Sequence, residues 1–152
     1  MASRLNNFLE LHSILYPEQY GFRAGSSTTH SLISITETIK NTIDNKKYGC
    51  GVFIDLKKAF DTVNHEILLQ KLEHYGIRNV ALSWFRSYLM NRKQYVHLNG
   101  TYSDVKSITC GVPQGSVLGP LLFLLYINDL PNIFKKLKFF LFADDTNTRF
   151  FL

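Results

Sequence analysis

One stretch near the end of the chain, LKFFLFADDT at residues 137–146, constrains the fold more than any other. Its apolar, phenylalanine-rich half predicts a buried strand, and two carboxylates, Asp144 and Asp145, follow directly. Neighbouring carboxylates repel each other by about 4 kcal/mol at 4 Å if the effective dielectric constant is near 20. Because side chains alternate along a strand and aspartate favours turns, we predict that this pair lies at the tip of a β-hairpin.

Composition narrows the class of protein. The chain has 152 residues, 45% of them hydrophobic, which suits one globular domain with its own core. Seventeen basic and twelve acidic side chains leave a net charge of +5, which fits a polyanionic partner without requiring one. Cys50 and Cys110 are the two cysteines, and they predict neither a zinc site nor a disulfide framework.

The sequence also bears on location. The longest apolar run is interrupted at Gly119 and Pro120, so no membrane span is expected. The first twelve residues lack a signal-peptide pattern and resemble the inside of a helix. Together with two reduced thiols, these features predict an intracellular protein of the nucleus or cytoplasm.

Helical and strand patterns alternate along the chain and predict an α+β fold with a small antiparallel sheet and helices packed on one face. Asn64 and Asn79 are predicted as helix N-caps, and Asn99-Gly100 as a tight hairpin turn. The predicted helices cover residues 28–46, 65–75, 79–89, 116–128 and, as a short basic helix, 132–136. The predicted strands cover residues 50–54 as a central strand, 94–98, 101–105, 137–142 and, as a hairpin partner of the last, 148–152.

A third carboxylate also follows an apolar strand directly, because Asp55 comes straight after residues 52–54. If the two strands are neighbours in one sheet, Asp55, Asp144 and Asp145 converge at one edge. Convergent carboxylates are hard oxygen ligands that suit Mg²⁺, and paired Mg²⁺ ions assist phosphoryl transfer. The alternative is a solvated turn, in which two aspartates need no special role.

Four sequence blocks then occur in a fixed order: QYGFRAGSST at 19–28, FIDLKKAFD at 53–61, GVPQGSVLGP at 111–120 and FADD at 142–145. With these blocks the chain resembles the reverse transcriptases of non-LTR retrotransposons of the jockey type. The resemblance implies a right-hand polymerase fold in which residues 1–152 form a partial reverse transcriptase domain. About 1–50 would belong to the fingers and about 51–152 to the palm with some fingers elements, while thumb and endonuclease would be absent.

The resemblance also implies an activity. It is that of an RNA-directed DNA polymerase, which transfers a nucleotide from a dNTP to the 3′-hydroxyl of a DNA primer on an RNA or DNA template. Asp55, Asp144 and Asp145 would be catalytic and would bind two Mg²⁺ ions, for which Mn²⁺ could substitute. The backbone carbonyl of Leu56 would be a further metal ligand.

Leu56 and four more residues would contact the nucleotide by the same resemblance. Phe60 would lie under the sugar and disfavour a 2′-hydroxyl, and Gln114 and Gly115 belong to a loop that touches the incoming nucleotide. Arg23 would grip the triphosphate, a role that suits its forked guanidinium. The alternatives are a core aromatic for Phe60 and a surface arginine for Arg23, while Asp61 is expected to hydrogen-bond locally in its own turn.

Two other functions stay open at this point. The chain could be a catalytically inactive, transposon-derived fragment with at most weak nucleic-acid binding through its basic surface. It could also belong to another polymerase class with the same chemistry, such as RNA-dependent RNA polymerases, intron maturases or telomerase. Phe60 and the block at 111–120 argue against the RNA polymerases. Oligomeric state does not follow from the sequence.

Overall fold

The computed structural model describes residues 1–134 and 137–151, with the backbone alone at 150 and 151. The chain divides into two compact units, which we call the sheet unit (Met1–Ala59 with Ile127–Leu152) and the helical unit (Phe60–Tyr126). The helices are α1 Ala2–Leu11, α2 Thr28–Asp44, α3 His65–His74, α4 Asn79–Leu89 and α5 Leu118–Ile127. The strands are β1 Gly49–Ile54, β2 Lys93–Gln94, β3 His97–Leu98, β4 Thr101–Tyr102, β5 Lys106–Ser107, β6 Lys138–Phe142 and β7 Asp145–Phe151.

The sheet unit is built on a three-stranded antiparallel sheet in the order β1-β7-β6. Helix α2 packs against β6 and begins at Ser27, whose hydroxyl accepts a hydrogen bond from the His30 N–H at 3.3 Å. The strand β6 is buried at its centre, where Phe139, Phe140 and Leu141 are each at most 3% exposed. The core of this unit comprises Leu5, Leu9, Leu15, Ile35, Phe139, Phe140 and Leu141.

Strand β1 corrects one prediction. Its apolar run suggested a central strand, but β1 is the edge strand of this sheet and β7 is the central one. All six β1 residues are exposed in the structure, and Phe53 keeps 73% of its surface accessible. An apolar run alone does not distinguish a central strand from an edge strand. Hydrophobicity is a property of one segment, whereas its place in the sheet depends on which other strands pair with it.

The helical unit holds α3, α4 and α5 around leucine and phenylalanine side chains. The Asn64 side chain accepts a hydrogen bond from Ile67 N–H at 3.1 Å, which confirms it as the N-cap of α3. The prediction for Asn79 is wrong: it is the first residue of α4, with a φ of 54°, and the N-cap is Arg78 without a side-chain bond. Asparagine tolerates this left-handed conformation better than most residues. The core comprises Val63, Leu68, Leu69, Leu72, Phe85, Leu89, Leu121, Leu122, Phe123, Leu124 and Leu125.

Two short strand pairs extend from the helical unit between α4 and α5. β3 pairs with β4 and β2 pairs with β5, both antiparallel. The turn between β3 and β4 is Asn99-Gly100, with φ values of 49° and 77°. Positive φ at both positions is the type I′ geometry that this dipeptide predicts. The predicted hairpin is therefore confirmed, with shorter strands than its apolar pattern indicated.

The C-terminal elements match the predictions in kind. Pro120 lies in the first turn of α5, where its missing N–H breaks no helical bond, and Pro131 lies in a 3₁₀ turn over Leu130–Ile133. That turn ends before most of the predicted basic helix at 132–136, and residues 135 and 136 lie outside the described residues, as does 152. Strand β7 begins at Asp145, three residues earlier than predicted, because the hairpin turn contains only two residues.

The observed architecture is α+β, as predicted. Within residues 1–134 and 137–151, no helix is both long enough and apolar enough to cross a bilayer.

Candidate nucleotidyl-transfer site

The turn that carries the FADD block is a two-residue hairpin turn. Phe142 and Asp145 are the last paired residues of β6 and β7, so Ala143 and Asp144 form the loop. Ala143 has a φ of 55°, a conformation shared by the first position of the type I′ and II′ turns that fit hairpins. The prediction that the acidic pair lies at a hairpin tip is therefore confirmed, with Asp144 in the turn and Asp145 in the first strand position.

Asp55, from the block at 53–61, lies at the same end of the sheet as this turn. Ile54 is the last residue of β1 and pairs with Thr146 of β7, which is two residues after Asp144. Because the strands are antiparallel, Asp55 continues β1 toward the turn of the neighbouring hairpin. The sheet thus brings together two sequence blocks that are almost ninety residues apart.

The carboxylates do not form a ready-made metal cage. Asp55 and Asp145 are exposed, and Asp144 is half-buried. Among the described residues, no three His, Cys, Asp or Glu side chains are grouped so that they could hold a metal ion. The two strands that precede the carboxylates, β1 and β6, lie in one sheet but are not neighbours, because β7 lies between them. Convergence of the three carboxylates around metal ions stays a prediction. Like charges without a cation favour separated side chains, and exposed side chains rotate freely to reach a ligand.

The donor types nevertheless fit a divalent ion of the Mg²⁺ class. Asp55 and Asp144 offer carboxylate oxygens at one end of the sheet, and the exposed Leu56 follows Asp55 with its backbone carbonyl. Hard oxygen donors of this kind, in an open position that leaves room for water, are what Mg²⁺ prefers.

A buried glutamine supports the hairpin turn. The side chain of Gln19 is only 2% exposed, and its Oε1 accepts hydrogen bonds from Gly21 N–H at 2.8 Å and Ala143 N–H at 3.0 Å. These two bonds connect the first sequence block to the residue that precedes Asp144. The sequence places Gln19 in the first block but indicates no role for it, because nothing in the local pattern marks the distant hairpin turn as its partner.

Backbone pairing strengthens the same connection. Tyr20 N–H donates to Leu141 carbonyl at 2.8 Å, and Leu141 N–H donates to Glu18 carbonyl at 2.9 Å, so the segment 18–20 pairs with β6. A Cβ on Gly21 would come within 2.3 Å of the Ala143 nitrogen, which no side chain tolerates. Only glycine therefore permits this close approach.

Glu18 organises polar side chains beside this segment. Its carboxylate accepts hydrogen bonds from the hydroxyls of Tyr20 and of Ser34, and Lys138 Nζ lies 3.5 Å from Glu18 Oε1. Burial, followed by the hydrogen bond to the Glu18 carboxylate, raises the pKa of Tyr20 above its ordinary value. Burial is also the main reason that the pKa of Tyr16 is raised.

Arg23 makes contacts inside the sheet unit. Its guanidinium lies 3.3 Å from a carboxylate oxygen of Glu10 and donates to the backbone carbonyls of Tyr16 at 3.3 Å and Gln19 at 3.4 Å. The predicted grip on a triphosphate stays a prediction, and it would require Glu10 to give way to phosphate oxygens.

The GVPQG loop of the helical unit is held by the segment that precedes α3. Gly111 N–H donates to Val63 carbonyl at 2.7 Å, and His65 Nε2 lies 2.7 Å from the Gly111 carbonyl. Val112 N–H donates to Phe60 carbonyl at 2.9 Å. Gly111 has a φ of 87°, and a Cβ there would lie 2.9 Å from the backbone of the facing segment, so glycine is required.

Gln114 makes an unexpected contact. Its Nε2 donates to Asp61 Oδ1 at 2.7 Å, across 53 residues of sequence. Asp61 was expected to hydrogen-bond locally in its own turn, but the bond seen for its side chain joins it to the GVPQG loop instead. Asn64 caps α3, as predicted. Gly115, the next residue, has a φ of 76° and open space around its Cα, as close approach by a ligand would require.

Phe60 is held by an aromatic contact. Its ring stacks on Phe123 of α5 with a centroid distance of 4.2 Å and an interplanar angle of 29°. The Phe60 side chain is half-buried, so one part packs in the core and another remains accessible.

Comparison of this α+β chain and its four blocks with known proteins identifies the family. Residues 1–148 match the family model "Reverse transcriptase (RNA-dependent DNA polymerase)", and the chain belongs to this family.

The relatives agree with that assignment. The chain is 39% identical to the probable RNA-directed DNA polymerase from transposon BS of Drosophila melanogaster, over 86% of this chain and 14% of the relative. It is 36% identical to the probable RNA-directed DNA polymerase from transposon X-element of the same species, over 95% of this chain and 16% of the relative. Identity to the RNA-directed DNA polymerase from mobile element jockey is 37%, over 74% of this chain and 12% of the relative. The chain therefore spans only a small part of the length of these retrotransposon proteins.

Proposed function

We propose that this chain forms the fingers and palm portion of an RNA-directed DNA polymerase that copies a retrotransposon template. The observation that supports this most directly is the strand register. Pairing of Ile54 with Thr146 sets Asp55 and the Asp144 turn at the same end of one sheet. Family membership supports the proposed reaction class. The strand register supports the proposed acidic site.

Asp55, Asp144 and the Leu56 carbonyl would hold divalent metal ions in this proposal, with Asp145 as a less direct partner. When bound, such ions stabilise negative charge on the transferred phosphoryl group and lower the pKa of an attacking hydroxyl. The oxygen of the primer 3′-hydroxyl attacks the α-phosphorus of the dNTP, and pyrophosphate leaves. The acidic side chains contribute by holding the metal ions in position rather than by forming a covalent bond to the nucleotide.

Residues of the helical unit would bind the nucleotide. The Phe60 ring, fixed by Phe123, would crowd a 2′-hydroxyl, while Gln114 and Gly115 would approach the nucleotide through the GVPQG loop. That loop is already ordered by its bonds to the segment before α3, which lowers the entropic cost of binding. Arg23 would bind the triphosphate through its positive charge if its guanidinium leaves Glu10, its present partner.

Metal binding can be tested separately from catalysis. We expect Mn²⁺ to broaden the backbone NMR signals of residues 54–56 and 143–146, and we expect Asp55→Asn combined with Asp144→Asn to prevent this. Asp44→Asn, at the exposed end of α2, is the matched control and should leave the broadening unchanged. Unchanged broadening in the double variant would contradict the proposed metal site.

Catalysis is then tested by primer extension on a primed RNA template. Incorporation of dNTPs should require Mg²⁺ and should be lost in either Asp55→Asn or Asp144→Asn, but not in Asp44→Asn. Equal incorporation by all of these variants would overturn the proposed function.

A second candidate function is nucleic-acid binding without catalysis. It is favoured by the net charge of +5 and by the lack of a three-ligand group among the described residues. Salt titration separates the two, because nonspecific binding to phosphates falls steeply with salt and needs neither Mg²⁺ nor dNTP. Stabilisation of the fold that appears only with Mg²⁺ and dNTP together would favour the polymerase.

A further inference from the structure

A group of exposed rings lies on the paired strands between α4 and α5. We call Tyr95, His97 and Tyr102 the aromatic platform. His97 and Tyr102 are directly paired, and their rings stack at 4.3 Å with an interplanar angle of 14°. Tyr95 lies 5.5 Å from Tyr102, centroid to centroid. Tyr95 and Tyr102 keep 58% and 63% of their surface accessible, so their rings are available to a ligand.

Cross-strand stacking alone explains only part of this arrangement. The pairing of His97 with Tyr102 stabilises a short hairpin, as aromatic pairs generally do. Tyr95 lies outside both strands and yet contacts the same ring, which extends the platform beyond the hydrogen-bonded pairs. Three neighbouring rings that remain open to solvent form a surface suited to flat, π-rich ligands.

The strands beneath the platform are basic. Residues 92–108 contain Arg92, Lys93 and Lys106 against a single acidic residue, Asp104, and both lysines are exposed. Arg92 lies 5.4 Å from the ring centroid of Tyr88, and its Nε is buried without a hydrogen-bond partner among the described residues. The net positive charge of this segment favours an anionic ligand over a neutral or a cationic one.

A groove in the helical unit is lined by Gln94, the residue before Tyr95 of the platform, and by residues of the GVPQG loop. It has a volume of about 490 Å³, and its lining includes two basic residues, Arg92 and Lys93, and one acidic residue, Asp61, whose carboxylate accepts a hydrogen bond from Gln114. We call this the basic groove. A ligand in this groove would meet the positive charges of Arg92 and Lys93 and the side chain of Gln114.

We propose that the aromatic platform and the basic groove bind a single strand of nucleic acid. Bases would stack on the rings of Tyr95 and Tyr102, and Lys93, Arg92 and Lys106 would contact phosphates. Single strands fit because their base faces are accessible, whereas a duplex hides its base faces. Identification of this strand as the template rests on the proposed function, but the binding site itself does not.

Fluorescence anisotropy of the full chain with a labelled oligouridylate or oligothymidylate, without Mg²⁺ or dNTP, tests the proposal. Tyr102→Ala should weaken binding by about tenfold, the effect of losing one base–aromatic stack. Tyr102→Phe keeps the ring and should bind within about twofold of the original chain. Tyr48→Ala removes another exposed tyrosine, 82% accessible and in the sheet unit, and should leave binding unchanged.

The charge component has its own variant. Lys93→Gln should reduce the slope of log affinity against log salt by about 0.7, which corresponds to one phosphate contact on a single strand. If Tyr102→Ala disturbs the hairpin, as circular dichroism would show, Tyr95→Ala provides the same test because Tyr95 lies outside the strands.

Three outcomes would overturn the proposal. Equal oligonucleotide affinity of Tyr95→Ala, Tyr102→Ala and Tyr48→Ala would show that the platform takes no part in binding. Equal affinity for duplex and single strand would show that base stacking does not contribute. Self-association that depends on Tyr102, with unchanged oligonucleotide binding, would assign the platform to a protein contact instead. Asp55→Asn distinguishes this proposal from the previous one, since it should abolish incorporation without affecting oligonucleotide binding.

Discussion

The amide oxygen of Gln19 accepts a hydrogen bond from the backbone N–H of Ala143 at 3.0 Å, within a fully buried environment. The same oxygen accepts from Gly21 N–H, so one side chain joins the QYG segment to the turn that carries Asp144. Gln19 is therefore a positioning residue for the acidic turn. The first and fourth sequence blocks are thus connected physically at this point.

Replacement of Gln19 by leucine should destabilise the fold. Two buried N–H groups would lose their acceptor, at a cost of about 1–3 kcal/mol each. Urea denaturation measures the change in the free energy of unfolding. Gln70→Leu, at an exposed position of α3, is the matched control and should change stability by no more than about 0.5 kcal/mol. Equal effects in the two variants would contradict the role of Gln19.

Replacement of Gly21 by alanine should displace the hairpin turn. Its Cβ would come within 2.3 Å of the Ala143 nitrogen, and the backbone there has no freedom to move without breaking the Gln19 bonds. We expect a loss of about 2 kcal/mol or more in unfolding free energy, as for other overpacked positions. Gly51→Ala in β1 is the control, because the nearest atoms to its Cβ are 3.9 Å away. If Gly51→Ala proved the more destabilising of the two, the close approach of Gly21 to Ala143 would not be the reason that Gly21→Ala destabilises the fold.

Stability should fall at alkaline pH, in part because of Tyr20. The raised pKa of Tyr20 means that the folded state favours its neutral phenol, so this contribution is complete below about pH 10. It is lost as the pH rises through the higher pKa of the folded state. Tyr20→Phe should show a smaller decrease in unfolding free energy above pH 10 than the original chain. Tyr48→Phe should keep the original slope, and an identical slope in all three proteins would contradict this assignment.

Arg149 of β7 is a buried cation, 8% exposed, that donates to the Ile35 carbonyl at 3.2 Å, and its Nε has no hydrogen-bond partner among the residues that the structure describes. Burial lowers its pKa because desolvation disfavours the charged form. Replacement by methionine removes an uncompensated buried charge and keeps the apolar stem. We expect unfolding free energy to change by less than about 1 kcal/mol or to increase.

Thermal or urea unfolding of Arg149→Met, compared with Arg4→Met at an exposed position of α1, measures this effect. A decrease of more than about 2 kcal/mol in the first variant alone would show that the guanidinium is stabilising despite its burial.

Much of the fold could be predicted from local signals. Asn64 caps α3, the Asn99-Gly100 turn closes β3 and β4, and the apolar run before Asp144 is a buried strand. Each of these depends on residues within one turn or one strand, so the physical cause lies inside the segment. The prediction for Asn79 was wrong because asparagine favours both a capping position and a left-handed backbone, and the sequence does not choose between them.

The sequence by itself determined which elements form and which blocks carry acidic, aromatic and glycine residues. Only the tertiary structure decided that β1 is an edge strand, that Gln19 holds the acidic turn and that Gln114 bonds to Asp61. The reason is that capping, turn formation and hydrophobic periodicity act between neighbours along the chain. Strand order and long-range hydrogen bonds depend instead on which surfaces meet after folding.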